Sequence, residues 1–215
     1  MDFALRRTQG QDAGDQVARS AYMTGFAATS NVRAGKRFGL PVAGTMAHAF
    51  ISAFPSEIEA FRAFVEVFPS NAILLIDTYD TLKGARNAAT VGREMQARGQ
   101  TLKGVRLDSG DMLAQSHAVR AILDHEGLTD ARIYASSSFD EFRIDDLVQA
   151  GAPIDAFGVG TRITILHVQV CILHEGHEAE MKTFVLPRRD GLIGGVPPDF
   201  LLRVGLLDHV LVLGG

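Results

Sequence analysis

Cysteine is nearly missing from this chain, with Cys171 alone among 215 residues, and tryptophan is missing altogether. A single thiol excludes an internal disulfide and fits a reducing compartment, and no Cys/His spacing of the zinc-site kind occurs. No apolar run approaches the ~18 residues that a membrane span needs. The first residues also lack the basic-then-apolar pattern of a secretory leader, so the cytoplasm is the expected location. Runs of lysine and arginine are absent too, and the net charge is −4, which argues against nucleic acid as a partner. An anionic ligand would have to be held by a few placed arginines. What remains is an ordinary globular composition, 47% hydrophobic and 21% charged. That suffices for one sizeable core but not for several domains.

The chain is organised around Gly104-Val105-Arg106-Leu107-Asp108-Ser109-Gly110-Asp111. An apolar strand there ends in an arginine, carboxylates and a glycine bend, which is where α/β proteins place chemistry. The layout recurs at 41–45, 73–77, 133–137 and 156–160. Strand starts are thus spaced by roughly 23 to 32 residues, the length of a right-handed parallel crossover. Apolar periodicity and cap signals predict helices over about Thr81–Arg98, Met112–Glu126 and Asp140–Ala150, with another from Pro55 to Phe68 stopped by Pro69. Upstream, Met1–Thr8 reads as a strand and Asp15–Phe26 as a helix. Ala27–Ser30 reads as a short strand, with Asn31 capping a helix that stops at Gly39. The result is a parallel sheet, either closed into a barrel or open and doubly wound. Past Thr161 the rhythm breaks: Ile163–Ile172 and Glu180–Leu186 read as strands around His174 to His177, and from Asp190 no element is assigned.

Several residues could carry chemistry. Asp77 and Asp108 each end an apolar strand, so each needs a partner or solvent. Either could bind a sugar hydroxyl, a cation or a histidine, or else cap a helix or pair with arginine. His48 lies just past a strand end. With strands in chain order Asp77 comes beside it, and a carboxylate on one ring nitrogen makes the other a better nucleophile or base. Arg6 and Arg7, adjacent on a strand, would face opposite sides; one of them could meet a carboxylate or phosphate, or both could be surface residues. Ser136-Ser137-Ser138 and Gly158-Val159-Gly160 would let backbone N–H groups approach an anion, or simply form tight turns. His174 and His177 read as a solvated loop rather than a metal site, and Cys171 as core.

Together, Leu5-Arg6-Arg7-Thr8-Gln9-Gly10, Ala28-Thr29-Ser30-Asn31-Val32, Gly39 to His48, Leu75 to Thr81, Val105 to Asp111 and Gly151 to Thr161 resemble the nicotinate phosphoribosyltransferase family, in its order and spacing over about residues 2–162. The resemblance implies an irregular, incomplete parallel α/β barrel of the type II phosphoribosyltransferase kind over 1–162, with the site at its carboxyl rim, and an atypical β-rich or irregular tail over 163–215. It implies formation of nicotinate mononucleotide and diphosphate from nicotinate and 5-phosphoribosyl 1-diphosphate, with ATP as co-substrate and Mg²⁺ as cofactor, in NAD biosynthesis, by a homodimer. By resemblance His48 is the phosphorylated, catalytic histidine and Asp77 the carboxylate paired to it. Arg6, Arg106 and Asp108 surround the pyridine and ribose. Ser30, Asn31, Ser137, Gly158, Gly160 and Thr161 complete the substrate-binding set, and no protein metal ligand is assigned.

This chain also departs from the family pattern. Ala4 stands where glycine is usual and Ala49 where serine commonly follows the histidine. The family is roughly twice this length, with an N-terminal domain that contributes to the site. The expectation is therefore exposed apolar surface, with low solubility or obligate association. The tail is expected to be an alternative end or a shifted reading frame, with Met181 to Pro187 only faintly like the family's Lys-Thr…Pro-Gly segment. A non-catalytic remnant or partner subunit of the same family is the first rival reading. A different phosphosugar barrel enzyme, such as an aldolase, is the second, and it is disfavoured because Lys103 begins its strand, away from the rim.

Overall fold

A computed structural model describes residues 1–165, 167–172 and 180–185. Its centre is a parallel sheet of β1 (Ile73–Leu75), β2 (Gly104–Leu107), β3 (Arg132–Ser136) and β4 (Ala156–Gly158), in that spatial order. The register pairs Leu74 with Val105, Val105 with Ile133, and Ala135 with Phe157. Leu74, Leu75, Ile76, Val105, Leu107, Ile133 and Ala135 are all buried. These strands are covered on both faces, so they appear in the sequence as unbroken apolar runs rather than as alternation.

The covering helices are α1 (Gln11–Met23), α2 (Val32–Phe38), α3 (His48–Ser52), α4 (Glu57–Val67), α5 (Thr81–Gln96), α6 (Met112–His125), α7 (Glu141–Gln149) and α8 (Thr161–Ile165). Four of them begin on a side-chain cap: Asn31, Asp80, Asp111 and Asp140 accept from the backbone N–H of Ala34, Lys83, Ala114 and Arg143. Each cap satisfies an otherwise orphaned first-turn donor and fixes where the strand-to-helix loop ends. Gly39 closes α2 in the left-handed conformation at φ +68°, a geometry that a side chain would strain.

Beyond β4 the parallel order continues through single bridged residues, Val159 to Asp2, Asp2 to Thr29 and Thr29 to Val42. Here the sequence expectation needs correction. Met1–Thr8 is not a strand, because only Asp2 bridges, and Leu5–Arg7 forms a 3₁₀ turn. The cause is the buried Asp2 carboxylate. It accepts from the Ala4 N–H at 2.7 Å and from the Thr29 hydroxyl at 2.6 Å, folding the chain off its extended path. The strands expected at 27–30 and 41–45 likewise shrink to Thr29 and Val42. Helix α1 starts at Gln11 rather than Asp15, directly after Gly10 at φ +102°.

In the tail, Ile163 belongs to α8 rather than to a strand. The backbones of β5 (His167–Ile172) and β6 (Glu180–Val185) pair antiparallel. His174, His177, Leu186 and everything from Asp190 on lie outside the described residues. Among the described residues, no helix is long and apolar enough to cross a membrane.

Candidate active site

The carboxyl ends of β1 and β2 meet the 43–48 segment, and the charged groups gather there. Arg106, next to last in β2, is mostly buried, with its side chain 13% exposed. Its Nη1 donates to Thr45 Oγ1, its Nη2 stands 3.9 Å from Asp108 Oδ2, and its guanidinium lies 5.9 Å from the centre of the Phe3 ring. Burial lowers the proton affinity of Arg106 below the ordinary arginine value. Asp108 and Asp77 oppose that effect, and the charge of Arg6 adds to it.

Asp108, just past β2, faces two ways. Its Oδ2 lies 3.5 Å from His48 Nε2, and its Oδ1 accepts from the buried Ser136 hydroxyl at the end of β3. The other ring nitrogen of His48, Nδ1, pairs with Thr78 Oγ1 at 3.1 Å. Asp77 Oδ2 accepts the backbone N–H of Asp108 at 2.9 Å and the Ser109 hydroxyl, tying the ends of β1 and β2 together. Asp77 Oδ1 is buried without a hydrogen-bond partner.

His48, Asp77, Arg106 and Asp108 are therefore brought to one mouth, but their pairing differs from the expectation. The carboxylate facing His48 is Asp108, while Asp77 is turned toward the backbone and hydroxyl of the next loop. Arg6 is exposed on the Leu5–Arg7 turn, not on a strand, yet near enough to be felt by Arg106. Asn31 is buried and fully used inside the protein: its Oδ1 caps α2 and its Nδ2 donates to Asp15 at 3.1 Å. Ser30 is half-buried beside it, its N–H donating to the Asp2 carbonyl.

Ser137 is half-buried after β3, and Ser138, next to it, sits at φ +36°, a strained conformation for serine. A Cβ on Gly158 would lie 2.4 Å from the Phe3 ring, and one on Gly160 would lie 3.1 Å from the Phe3 carbonyl oxygen. Close packing of Phe3 therefore already explains glycine at 158. Thr161 opens α8, where Arg162 stands 3.9 Å from Asp140. Sequence reasoning passed over Phe3, Thr45, Thr78, Ser109 and, as anything more than a small residue, Ser136. Each touches one of the charged groups; Thr45, Thr78 and Ser109 lie in the same short segments as His48, Asp77 and Asp108, and Phe3 in that of Arg6, which was the available signal.

An arginine and two carboxylates at the carboxyl ends of adjacent parallel strands, with a histidine from the start of α3 brought against them, form an α/β domain of the enzyme kind. Comparison with known proteins narrows this. The chain belongs to the nicotinate phosphoribosyltransferase (NAPRTase) family, whose profile matches residues 1–169. It is 47% identical over 165 residues to nicotinate phosphoribosyltransferase pncB2 of Mycobacterium tuberculosis, covering 77% of this chain and 35% of that protein. It is 45% identical over 170 residues to the nicotinate phosphoribosyltransferase of Bacillus subtilis, covering 79% and 34%. The chain thus spans about a third of the length of these curated relatives. Among solved structures, human nicotinic acid phosphoribosyltransferase superposes with a TM-score of 0.69 at 28% identity, over 74% of this chain and 43% of that one. Nicotinate-nucleotide pyrophosphorylase from Pyrococcus furiosus gives 0.63 at 29%, over 76% and 41%.

Proposed function

We propose that this chain forms nicotinate mononucleotide and diphosphate from nicotinate and 5-phosphoribosyl 1-diphosphate, with ATP hydrolysis assisting. The observation that carries the reading is the convergence of His48, Asp108, Arg106 and Asp77 at one mouth. In the reaction the pyridine nitrogen bonds to the anomeric carbon as the bond from that carbon to diphosphate oxygen breaks. Positive charge develops on the ribose and negative charge on the leaving group, so the site needs a carboxylate beside the sugar and cations toward the diphosphate. Asp108, a third exposed and aimed into the mouth, suits the first role. Arg106 and Arg6 suit the pyridine carboxylate. Ser30, Ser137, Gly158, Gly160 and Thr161 are assigned to the ribose and phosphate, with Asn31 acting through the cap that sets Ser30.

His48 is assigned as the group phosphorylated by ATP. Thr78 pairs with Nδ1 at 3.1 Å while Asp108 stands off Nε2 at 3.5 Å, so Nε2, the more loosely held nitrogen, is assigned to that chemistry. Among the described residues no three His, Cys, Asp or Glu side chains are grouped to hold a metal. Asp77 Oδ1, buried and unpaired, and Asp108 suit a Mg²⁺ that keeps most of its waters and arrives with the diphosphate. That ion would neutralise charge on the leaving group.

The bridged order Val42–Thr29–Asp2–Val159–β3–β2–β1 follows chain order when read as a ring. Together with the contact between Thr45 and Arg106 this supports closure of the sheet into a barrel between the 42-segment and β1. A cytoplasmic homodimer completes the reading; light scattering tests the dimer. The test of function is nicotinate mononucleotide formation by the purified chain with Mg-ATP, followed by chromatography. No product even at high protein concentration would sink the catalytic reading and favour a non-catalytic member of the family.

A further inference from the structure

Of the charged groups at the mouth, Asp77 and Arg106 each keep a buried atom unpaired, and Arg106 is the more sparsely bonded for the donors it carries. A guanidinium carries five N–H donors and no acceptor. Here Nη1 is engaged by Thr45, Nη2 stands 3.9 Å from Asp108, beyond hydrogen-bond reach, and Nε is buried with no partner. A cation so desolvated and so sparsely bonded is costly to keep. With Nη1 taken, the edge left over is Nε with Nη2, two parallel donors at the spacing of the two oxygens of a carboxylate.

What selects that edge is Thr45. Its hydroxyl proton is directed at the Met46 carbonyl, 3.3 Å away, so its lone pairs face the guanidinium and it serves Arg106 purely as an acceptor. Thr45 lies in a segment without helix or strand and is half-buried, so its side chain does little for the core. Without it, the guanidinium is free to rotate toward Asp108 and carry that edge out of line.

We infer that Thr45 is the positioning residue that makes this site prefer a pyridine acid to its amide, by holding the unpaired Nε–Nη2 edge of Arg106 in line for the carboxylate. An amide presents one acceptor and an NH₂ group, which would set donor against donor on that edge. The inference rests on the proposed reaction. It is tested in the full chain with Thr45→Val, which keeps the shape and removes the hydroxyl, and Thr45→Ser, which keeps the hydroxyl. Steady-state kinetics are measured with nicotinate and with nicotinamide.

The expected result is that Thr45→Val raises the KM for nicotinate about tenfold or more with a smaller change in kcat, and lowers the acid-to-amide ratio of kcat/KM accordingly. Thr45→Ser is expected to stay within about threefold of the parent. A Thr45→Val protein with an unchanged ratio overturns the inference while leaving the proposed reaction standing. If the parent chain makes no product from either compound, the proposed reaction falls instead. Calorimetric binding of nicotinate to the same three proteins then decides the role of Thr45, an unchanged affinity in Thr45→Val overturning it.

Discussion

Replacing Gly84 in α5 by alanine should destabilise the protein, against the usual trend. In a helix interior Gly→Ala ordinarily gains about 1 kcal/mol by restricting the unfolded chain. Here a Cβ would lie 2.0 Å from the carbonyl oxygen of Ile76 and 2.8 Å from its carbonyl carbon. Both are main-chain atoms at the end of β1 and cannot swing aside, so α5 must move. Overpacking of that kind costs about 1–3 kcal/mol, with a backbone obstacle at the upper end. Subtracting the propensity gain leaves a net loss of about 2 kcal/mol, or a melting temperature lower by about 4–8 °C for a chain of this size. Gly92 is the internal control on the same helix. Its Cβ would meet only the side-chain ends of Leu128 at 2.8 Å and Leu102 at 3.1 Å. These can turn away, so Gly92→Ala should stay within about 1 kcal/mol of the parent. Urea unfolding followed by far-ultraviolet circular dichroism compares the three midpoints at a common slope. A Gly84→Ala protein as stable as the parent, or more stable, would show that α5 and β1 are not packed as described, and with them the loop that carries Asp77 and Thr78.

Three further outcomes are expected. Burial raises the carboxyl of Glu57 above its ordinary value near 4.5, with Asn87 and Lys83 pulling it partly back. Because the folded-state pKa is the higher one, stability is fully present below the unfolded value and is lost as pH rises through the folded value. Glu57→Gln should therefore gain on the parent as the pH is raised from 4 toward 7, and a difference constant across that range in pH-dependent melts would count against it. Ser136→Ala should leave the fold nearly unchanged, since Asp108 is partly exposed and water can replace the hydroxyl. It should still lower kcat for nicotinate mononucleotide formation about tenfold, with a smaller effect on KM, by freeing the Asp108 carboxylate; an unchanged kcat would exclude Ser136 as a support. His48→Ala should abolish the stimulation of turnover by ATP. A variant that keeps full stimulation would remove the phosphorylated histidine from the mechanism.

The four central strands and their helices were legible in the sequence because their signals are local. Runs such as Ile73 to Ile76 are apolar on both faces, and the helical spacing that follows each run starts beside a capping aspartate, Asp80, Asp111 or Asp140. The N-terminal stretch was misread because its conformation depends on a distant partner. Asp2 turns the chain into Leu5–Arg7 by gripping Thr29, and nothing in Phe3-Ala4-Leu5 records that grip.

The same division runs through the site. That Asp77, Arg106 and Asp108 end apolar strands is a local anomaly, and it identified them. Which of the two carboxylates faces His48 is a question of side-chain rotation and of competing donors, here the Asp108 N–H and the Ser109 hydroxyl, which hold Asp77 away. Thr45, Thr78 and Ser109 were passed over because serine and threonine are equally at home in turns. Yet each charged group at this mouth is held by one: Arg106 by Thr45, His48 by Thr78, Asp77 by Ser109 and Asp108 by Ser136. Two of these contacts, Thr45 to Arg106 and Thr78 to His48, also join the 43–48 segment to β2 and to the loop after β1. The bridges in the sheet run from that segment the other way, through Thr29 and Asp2 to Val159. Thr45 and Thr78 therefore orient charged groups of the mouth and join the two ends of the bridged series at once, so a change that loosens one contact should loosen the other.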